Sequence, residues 1–322
     1  MVSVIIPNYN KSKYVKETIL SVLNQDYKDW ECIIIDDFSS DNSVSVISNL
    51  IKNEKRFHLM KNSSNYGANF SRNIGLKKSK GDFVMFLDAD DILSPNCLSI
   101  RLDKQLCEND LDFGVFPIGT FHNNIGDNEF VWNNFSGDHL DRFLYHDLPW
   151  LICSVFWKKE FLDNLGGFSE DFHRMQDVEF HSRVLIKSNP IYKTFDSLNP
   201  DCFYRISNQR ISDFFIFCRN DINAKIMFVN KFSNILVEEN PNKLKLLSGT
   251  IFESYLIIFT FYKQDKITTT QLINLINLLE NSFDISNWSQ FNKLWMSIYK
   301  IIKKRKIHIK GLNSIFKFFL IK

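Results

Sequence analysis

Short apolar runs and helical stripes alternate through the first 120 residues of the chain. Val2 to Ile6 reads as an apolar strand ended by Pro7. Ser12 to Leu23 follows with apolar residues at 15, 19, 22 and 23, the spacing of one helix face. Cys32 to Ile35 is a second strand closed by Asp36-Asp37, and Ser43 to Ile51 carries Val44, Ile47, Leu50 and Ile51 on one helical side. Phe57 to Met60 reads as a third strand, Phe70 to Lys78 as a helix, and Phe83 to Leu87 as a fourth, buried strand. Short apolar strands alternating with helices predict an α/β fold with a largely parallel sheet covered on both faces. After Asp112 the regularity fades. Phe113 to Ile118 reads as one more strand, His122 to Asp138 as an Asn- and Gly-rich loop, Trp150 to Leu165 as a mixed apolar segment, and Val178 to Ile186 as a helix. Beyond Ser212 the pattern is almost wholly helical, which sets a boundary there: residues 1–212 as one domain, 213–322 as a helical C-terminal region.

Composition adds three constraints. With 44% hydrophobic and 24% charged residues the chain is globular, and its 31 Phe predict an aromatic-rich core. The six Cys show no C-x-x-C spacing and no export signal is visible, so they read as reduced thiols and the expected location is cytoplasmic. The apolar stretch Tyr255 to Tyr262 falls far short of a membrane span, which takes about 20 residues. The net charge of +2 conceals a polarity: after Asp284 there are nine Lys/Arg and no acid, so the body stands at about −7 and the tail at +9. Trp288, Phe291, Trp295, Ile298 and Ile302 share one helical face in that tail, ahead of Lys303 to Lys306. Either the tail lies on an anionic membrane surface, at the inner face of the cell membrane, or it packs in the core with a solvated basic end. An acidic body without a recognition motif disfavours nucleic acid as a partner.

Polar groups gather where the strands end. They are Pro7-Asn8-Tyr9-Asn10, Asp36-Asp37-Phe38-Ser39-Ser40-Asp41, the loop and helix start Asn65 to Gly75 with Arg72 in it, and Asp88-Ala89-Asp90-Asp91. Each alone also suits a turn or a helix N-cap; Asp90 or Asp91 would cap a helix with Pro95 in its first turn. Three carboxylates within four residues repel one another unless a positive charge sits among them. A divalent cation bound to phosphate supplies one, because hard oxygen ligands suit Mg2+ or Mn2+.

In order, these segments resemble the family 2 inverting glycosyltransferases of the GT-A fold. The quoted runs are Val-Ser-Val-Ile-Ile-Pro-Asn-Tyr-Asn, Ile-Ile-Ile-Asp-Asp-Phe-Ser-Ser-Asp, Asn-Tyr-Gly-Ala-Asn-Phe-Ser-Arg-Asn-Ile-Gly and Phe-Leu-Asp-Ala-Asp-Asp, followed by Leu165 to Asp171 and Gln176-Asp177. The resemblance covers about residues 1–212. It implies a Rossmann-like sheet, a nucleotide-sugar donor with a UDP-sugar favoured, Mg2+ or Mn2+, a saccharide or lipid-linked acceptor, and a place in bacterial surface polysaccharide synthesis. By the same resemblance Pro7, Tyr9 and Asp37 line the nucleobase pocket and Arg72 lies on the nucleotide side. Asp88 binds ribose or the metal's shell, Asp90 ligates the metal, Asp91 shapes the sugar or acceptor side, and Asp177 is the general base.

The chemistry agrees with these assignments. Sugar transfer needs a neutralised diphosphate, a base for the acceptor hydroxyl, and a donor held facing it. Asp177 also suits the N-cap of a helix beginning near Val178. Two residues depart from the family pattern. Gln176 stands where Glu often precedes the base, which removes a charge beside Asp177. Ser207 stands in Tyr204-Arg205-Ile206-Ser207 where relatives carry His, and Arg205 would substitute as a phosphate contact or form a surface ion pair. These departures keep a non-catalytic domain that binds sugar nucleotide or scaffolds other enzymes as the alternative. His173 and His181 read as packing or polar-face residues. Trp132, Trp150 and Trp157 suit either an acceptor platform or the core.

Overall fold

The computed structural model describes residues 1–108, 110–206 and 212–282. Ser207 and the tail from Trp288 onward lie outside the described residues. The chain divides into two compact units, Met1–His139 with Leu148–Asn208, and Leu140–Asp147 with the segment from Gln209 on.

The first unit starts as strand–helix alternation: β1 (Val2–Asn8), α1 (Val15–Leu23), β2 (Trp30–Asp36), α2 (Ser43–Ile51), β3 (Phe57–Lys61), α3 (Ala68–Lys78) and β4 (Phe83–Phe86). It continues with β5 (Ile92–Leu93), α4 (Cys97–Cys107), β6 (Phe113–Val115), β7 (Ile118–Phe121), β8 (Val131–Trp132), and α5 (His139–Leu144), which runs into the second unit. Then come β9 (Val155–Lys158), α6 (Lys159–Asn164), α7 (Gln176–Lys187), β10 (Tyr192–Thr194) and β11 (Cys202–Arg205). Seven strands form one sheet in the order β10-β6-β9-β4-β1-β2-β3. All its pairings are parallel except those of β9, which runs antiparallel between β4 and β6. A second sheet, β5-β11-β7-β8, lies in the same unit.

β1 and β2 are buried at every position, as parallel strands covered on both faces must be. α1 turns Val15, Ile19 and Val22 inward, the stripe its sequence spacing predicted. On the far side of β4 the core is aromatic: Phe113 packs at a tilt against Trp157, which lies parallel to His181 at 5.9 Å. Trp150 and Trp157 are wholly buried, which removes them as acceptor platforms, while Trp132 is half-buried and donates its indole N–H to the Leu148 carbonyl. Arg101 on α4 is fully buried and pairs with Asp201 through Nε and Nη2, while Nη1 donates to the Cys153 carbonyl at 2.7 Å.

Three local expectations are corrected. Phe113 to Ile118 is two strands in different sheets, because Pro117 between them has no N–H for a ladder. Asp90 and Asp91 do not cap a helix: β5 follows them, and α4 begins at Cys97 after Asn96, beyond Pro95. Asp177 lies inside α7, which starts at Gln176 after Met175 in a left-handed conformation (φ 57°).

The described part of the second unit is helical: α8 (Phe214–Glu239), α9 (Leu247–Lys263) and α10 (Thr269–Ser282). The Asp213 carboxylate caps α8 by accepting from the Ile216 N–H at 2.9 Å. The helical stretch Pro241–Lys263 has 23 residues and a mean hydropathy of 1.4 over its most apolar window, longer than the apolar run visible in sequence. By length and composition it could cross a membrane, but 61% of that window is buried in the structure, as in the core helix of a globular unit.

Candidate active site

Parallel pairing brings the carboxyl ends of β1, β2 and β4 to one edge, with Asn8 opposite Asp36 and Ile5 opposite Phe86. Open α/β sheets bind ligands along this edge. The loops after β1 and β2 are stapled together there. Asn8 Nδ2 donates to Asp36 Oδ1 at 2.7 Å, the Asn10 N–H donates to Ser39 Oγ at 2.9 Å, and Asn10 Oδ1 accepts from the Ser40 N–H at 2.9 Å. Burial pushes the Asp41 carboxyl up, but hydrogen bonds from Ser43 and Ser12 outweigh it and hold the group at about 2. α2 itself carries no side-chain cap. Pro7 is buried and Tyr9 exposed, while Asp37 is buried and accepts from Asn62 Nδ2 and the N–H groups of Tyr66 and Gly67. Next to Asp37 stands Phe38, 59% exposed with φ at 63°, a region costly for a bulky side chain.

α3 reaches this edge by lying close on β1. A Cβ on Gly75 would fall 2.3 Å from Ile5 Cγ2, so only glycine fits. The helix also holds the segment that leads into α7. Asn73 exchanges hydrogen bonds with the Phe168 backbone at 3.0 and 2.8 Å, and Asn69 Nδ2 donates to the Ser169 and Phe172 carbonyls. The paired glycines before Phe168 both have positive φ, 76° at Gly166 and 74° at Gly167, and a Cβ on Gly167 would also meet Asn73 Oδ1 at 2.6 Å. Arg72 completes the link. It is 3% exposed and donates to Asn69 Oδ1 at 3.1 Å, Gln176 Oε1 at 2.9 Å and Asp88 Oδ1 at 2.8 Å, with its guanidinium over the Phe168 ring. Residues from three separate motifs thereby meet on one guanidinium.

The three carboxylates after β4 have three different surroundings. Asp88 keeps 36% of its side chain exposed and pairs with Arg72. Asp90, with 12% of its side chain exposed, pairs with the ammonium of Lys11. Burial raises the pKa of Asp90 and the Lys11 charge opposes the rise. Asp91 is buried, accepts from the Arg205 N–H at 2.9 Å, and is pushed well up by burial and by the Asp88 charge. Arg205 is buried too. Its Nε donates to the Asp90 carbonyl at 2.9 Å and Nη2 to Glu17 Oε2 at 2.7 Å, with the guanidinium 4.7 Å from the Tyr14 ring centroid and 4.3 Å from that of Phe121. Arg205 thus clasps the acidic loop to α1 and β11. Positive charges for the acidic run come from within the protein, Arg72 on Asp88 and Lys11 on Asp90, while the Arg205 guanidinium pairs with Glu17.

Asp177 Oδ2 accepts from the Ile152 N–H at 2.9 Å. Burial raises its pKa, the Arg72 charge lowers it, and the Asp88 charge raises it again. His173 is exposed, beside Gly67. His181, one turn beyond Asp177, is buried and its pKa is lowered by burial to about 3. Lys11, Phe38, Asn69 and Asn73 are absent from the sequence-derived site. Lys11 directly follows a singled-out segment and the other three lie within such segments, so position was the available signal.

The model of glycosyl transferase family 2 matches residues 3–165, half of the chain. The chain belongs to this family. A relative in Campylobacter jejuni, GalNAc(5)-diNAcBac-PP-undecaprenol beta-1,3-glucosyltransferase, is 43% identical over 203 residues, 60% of this chain and 62% of that protein, so the match spans less than two thirds of the relative. Among solved structures, S. aureus TarS 1-349 in complex with UDP superposes with a TM-score of 0.62 at 17% identity, covering 99% of this chain and 90% of that one. Mannosyltransferase PcManGT from Pyrobaculum calidifontis, in complex with GDP-Man and Mn2+, superposes with a TM-score of 0.56 at 16% identity, covering 99% and 84%. These likenesses establish the GT-A fold of family 2.

Among the described residues no group of three or more His, Cys, Asp or Glu is placed to hold a metal ion. Asp88 and Asp90 nonetheless fit the kind of cation site in which one or two carboxylates hold Mg2+ or Mn2+ and nucleotide phosphates complete the shell. A cation, the Lys11 ammonium, already occupies the Asp90 carboxylate.

Proposed function

We propose that the chain is an inverting glycosyltransferase that moves a sugar from a nucleotide-diphospho-sugar to a hydroxyl of a saccharide or lipid-linked acceptor. The observation that carries this reading is the Arg72 junction, which ties Asp88 on the donor side to Gln176, the neighbour of Asp177. Asp177 takes the proton from the acceptor hydroxyl as that oxygen attacks the anomeric carbon. The bond from that carbon to the diphosphate breaks as the new one forms, and one displacement inverts the configuration. A base pKa lifted by burial toward the working pH favours this proton transfer. A bound Mg2+ or Mn2+, held by Asp90 with Asp88 near it, would supply charge to the leaving diphosphate. Asp37, Pro7 and Tyr9 are assigned to the nucleobase, and Asp91 and Arg205 act by shaping the loop that carries Asp90.

The TarS complex with UDP supports a UDP-sugar as first donor to try, and the PcManGT complex with Mn2+ supports a divalent cation. The undecaprenol-linked acceptor in the name of the Campylobacter relative supports a lipid-linked acceptor, and surface glycan assembly at the cytoplasmic face of the membrane is the setting this reading assigns to it. In this reading the first unit carries the chemistry, and residues 285–322, with nine basic groups, hold the enzyme peripherally on anionic lipid. A thermal-shift panel of UDP-, GDP- and dTDP-sugars with Mn2+, followed by detection of released nucleotide, tests the activity. No stabilisation and no release with any donor would overturn it. Cosedimentation with anionic and neutral vesicles tests the tail, and equal recovery with both and with a lipid-free control would reject membrane binding.

A further inference from the structure

We propose that Lys11 is an exchangeable counter-ion: its ammonium holds the Asp90 carboxylate until a nucleotide diphosphate arrives, then moves to the phosphates and leaves Asp90 to a divalent cation. This rests on the reading of Asp90 as the metal ligand. The backbone at Lys11 is fixed on both sides. Its N–H donates to Ser43 Oγ at 2.9 Å, its carbonyl accepts from the N–H groups of Tyr14 and Val15 at 2.8 and 2.9 Å, and the Ser12 N–H donates to Asp41 Oδ2 at 2.9 Å. Only the side chain is free to swing. Its side chain is 24% exposed and so has a wet side toward which to move, whereas the Asp90 side chain is only 12% exposed and its charge is costly without a cation beside it. A lysine ammonium is a compact point charge on a flexible stem that suits both carboxylate and phosphate.

Charge balance couples the ion to the donor. The resting pair, Lys11 with Asp90, is neutral, and the neighbouring Asp88 is already matched by Arg72. A divalent ion entering alone would add two uncompensated positive charges beside Lys11. The diphosphate of a nucleotide sugar carries two negative charges, so ion and donor together restore neutrality. Metal binding and donor binding are therefore coupled through Lys11, and by linkage each strengthens the other equally.

The test is Mn2+ binding followed by electron paramagnetic resonance of the free ion, with UDP as the probe. In the wild-type protein UDP should tighten Mn2+ binding by about tenfold or more. In Lys11→Met, Mn2+ alone should bind about tenfold more tightly than to wild type, and the effect of UDP should shrink, while Lys11→Arg keeps the coupling. The wild-type titrations stand by themselves if Lys11→Met fails to fold. UDP binding that is equal with and without Mn2+ overturns the exchange, as does unchanged Mn2+ affinity in a folded Lys11→Met that still binds Mn2+ with UDP. A wild-type protein that binds neither probe overturns the reading of the site itself, and the exchange with it.

Discussion

Replacing Arg72 by Met tests whether the junction between the motifs is a real structural bond. Arg72 donates three hydrogen bonds while almost fully buried. Two end on neutral amide oxygens of Asn69 and Gln176, and each contributes about 1 kcal/mol net. The third ends on Asp88, whose side chain is 36% exposed, so solvent screening limits that pair to about 0.5–1 kcal/mol. Met keeps an apolar stem against Phe168, and the expected loss is therefore about 2–3 kcal/mol. Arg101→Met supplies the comparison, because its partner Asp201 is nearly as buried as Arg101 itself and breaking such a pair costs about 3–5 kcal/mol. Urea unfolding followed by circular dichroism, with slopes compared across variants, measures both. A loss at Arg72→Met below about 0.5 kcal/mol, or one equal to that at Arg101→Met, would refute the reasoning from burial and bond count.

Other expectations concern pH, packing and metal. His181 binds its proton less readily when folded, at about 3 against an ordinary value of 6.5, so stability is full above about pH 6.5 and falls as the pH drops toward 3. At pH 5 this amounts to about 2 kcal/mol, and His181→Phe should flatten that limb in urea titrations run from pH 7 to 4. Gly75→Ala should destabilise by about 1–3 kcal/mol through the clash with Ile5, measured as a lower melting temperature. Asp90→Asn should keep the fold, by unchanged circular dichroism, and lose Mn2+-dependent nucleotide release by at least about 100-fold, the scale of a charged group acting in the transition state.

The sequence disclosed those elements whose signal is local. β1, β2 and β4 carry short apolar runs, Val4 to Ile6, Cys32 to Ile35 and Phe83 to Phe86, because the strands are buried, and α2 shows its stripe directly. β5 has no local signal, because its two residues gain strand geometry only by pairing with Cys202 and Phe203, more than a hundred positions away. The split at Pro117 was legible in principle, since the missing N–H forbids one continuous ladder. The site shows the same division. The acidic loop, Arg72 and Asp177 stand out by residue type and order, but their partners do not. That Asp90 meets Lys11 and Asp91 meets the Arg205 N–H depends on contacts across 79 and 114 positions. Charge repulsion in the acidic run points to a metal, but the protein's own cations on Asp88 and Asp90 answer much of that repulsion before any ion binds.

The most direct test is a comparison of wild type with Asp177→Asn, reading both nucleotide release from a UDP-sugar with Mn2+ and the affinity for UDP. The account predicts that release falls by about 10² to 10⁴, the contribution of a general base, while UDP affinity stays within a few-fold. Release that persists at the wild-type rate in a folded Asp177→Asn protein would contradict the assignment of Asp177 as the base of a glycosyl transfer.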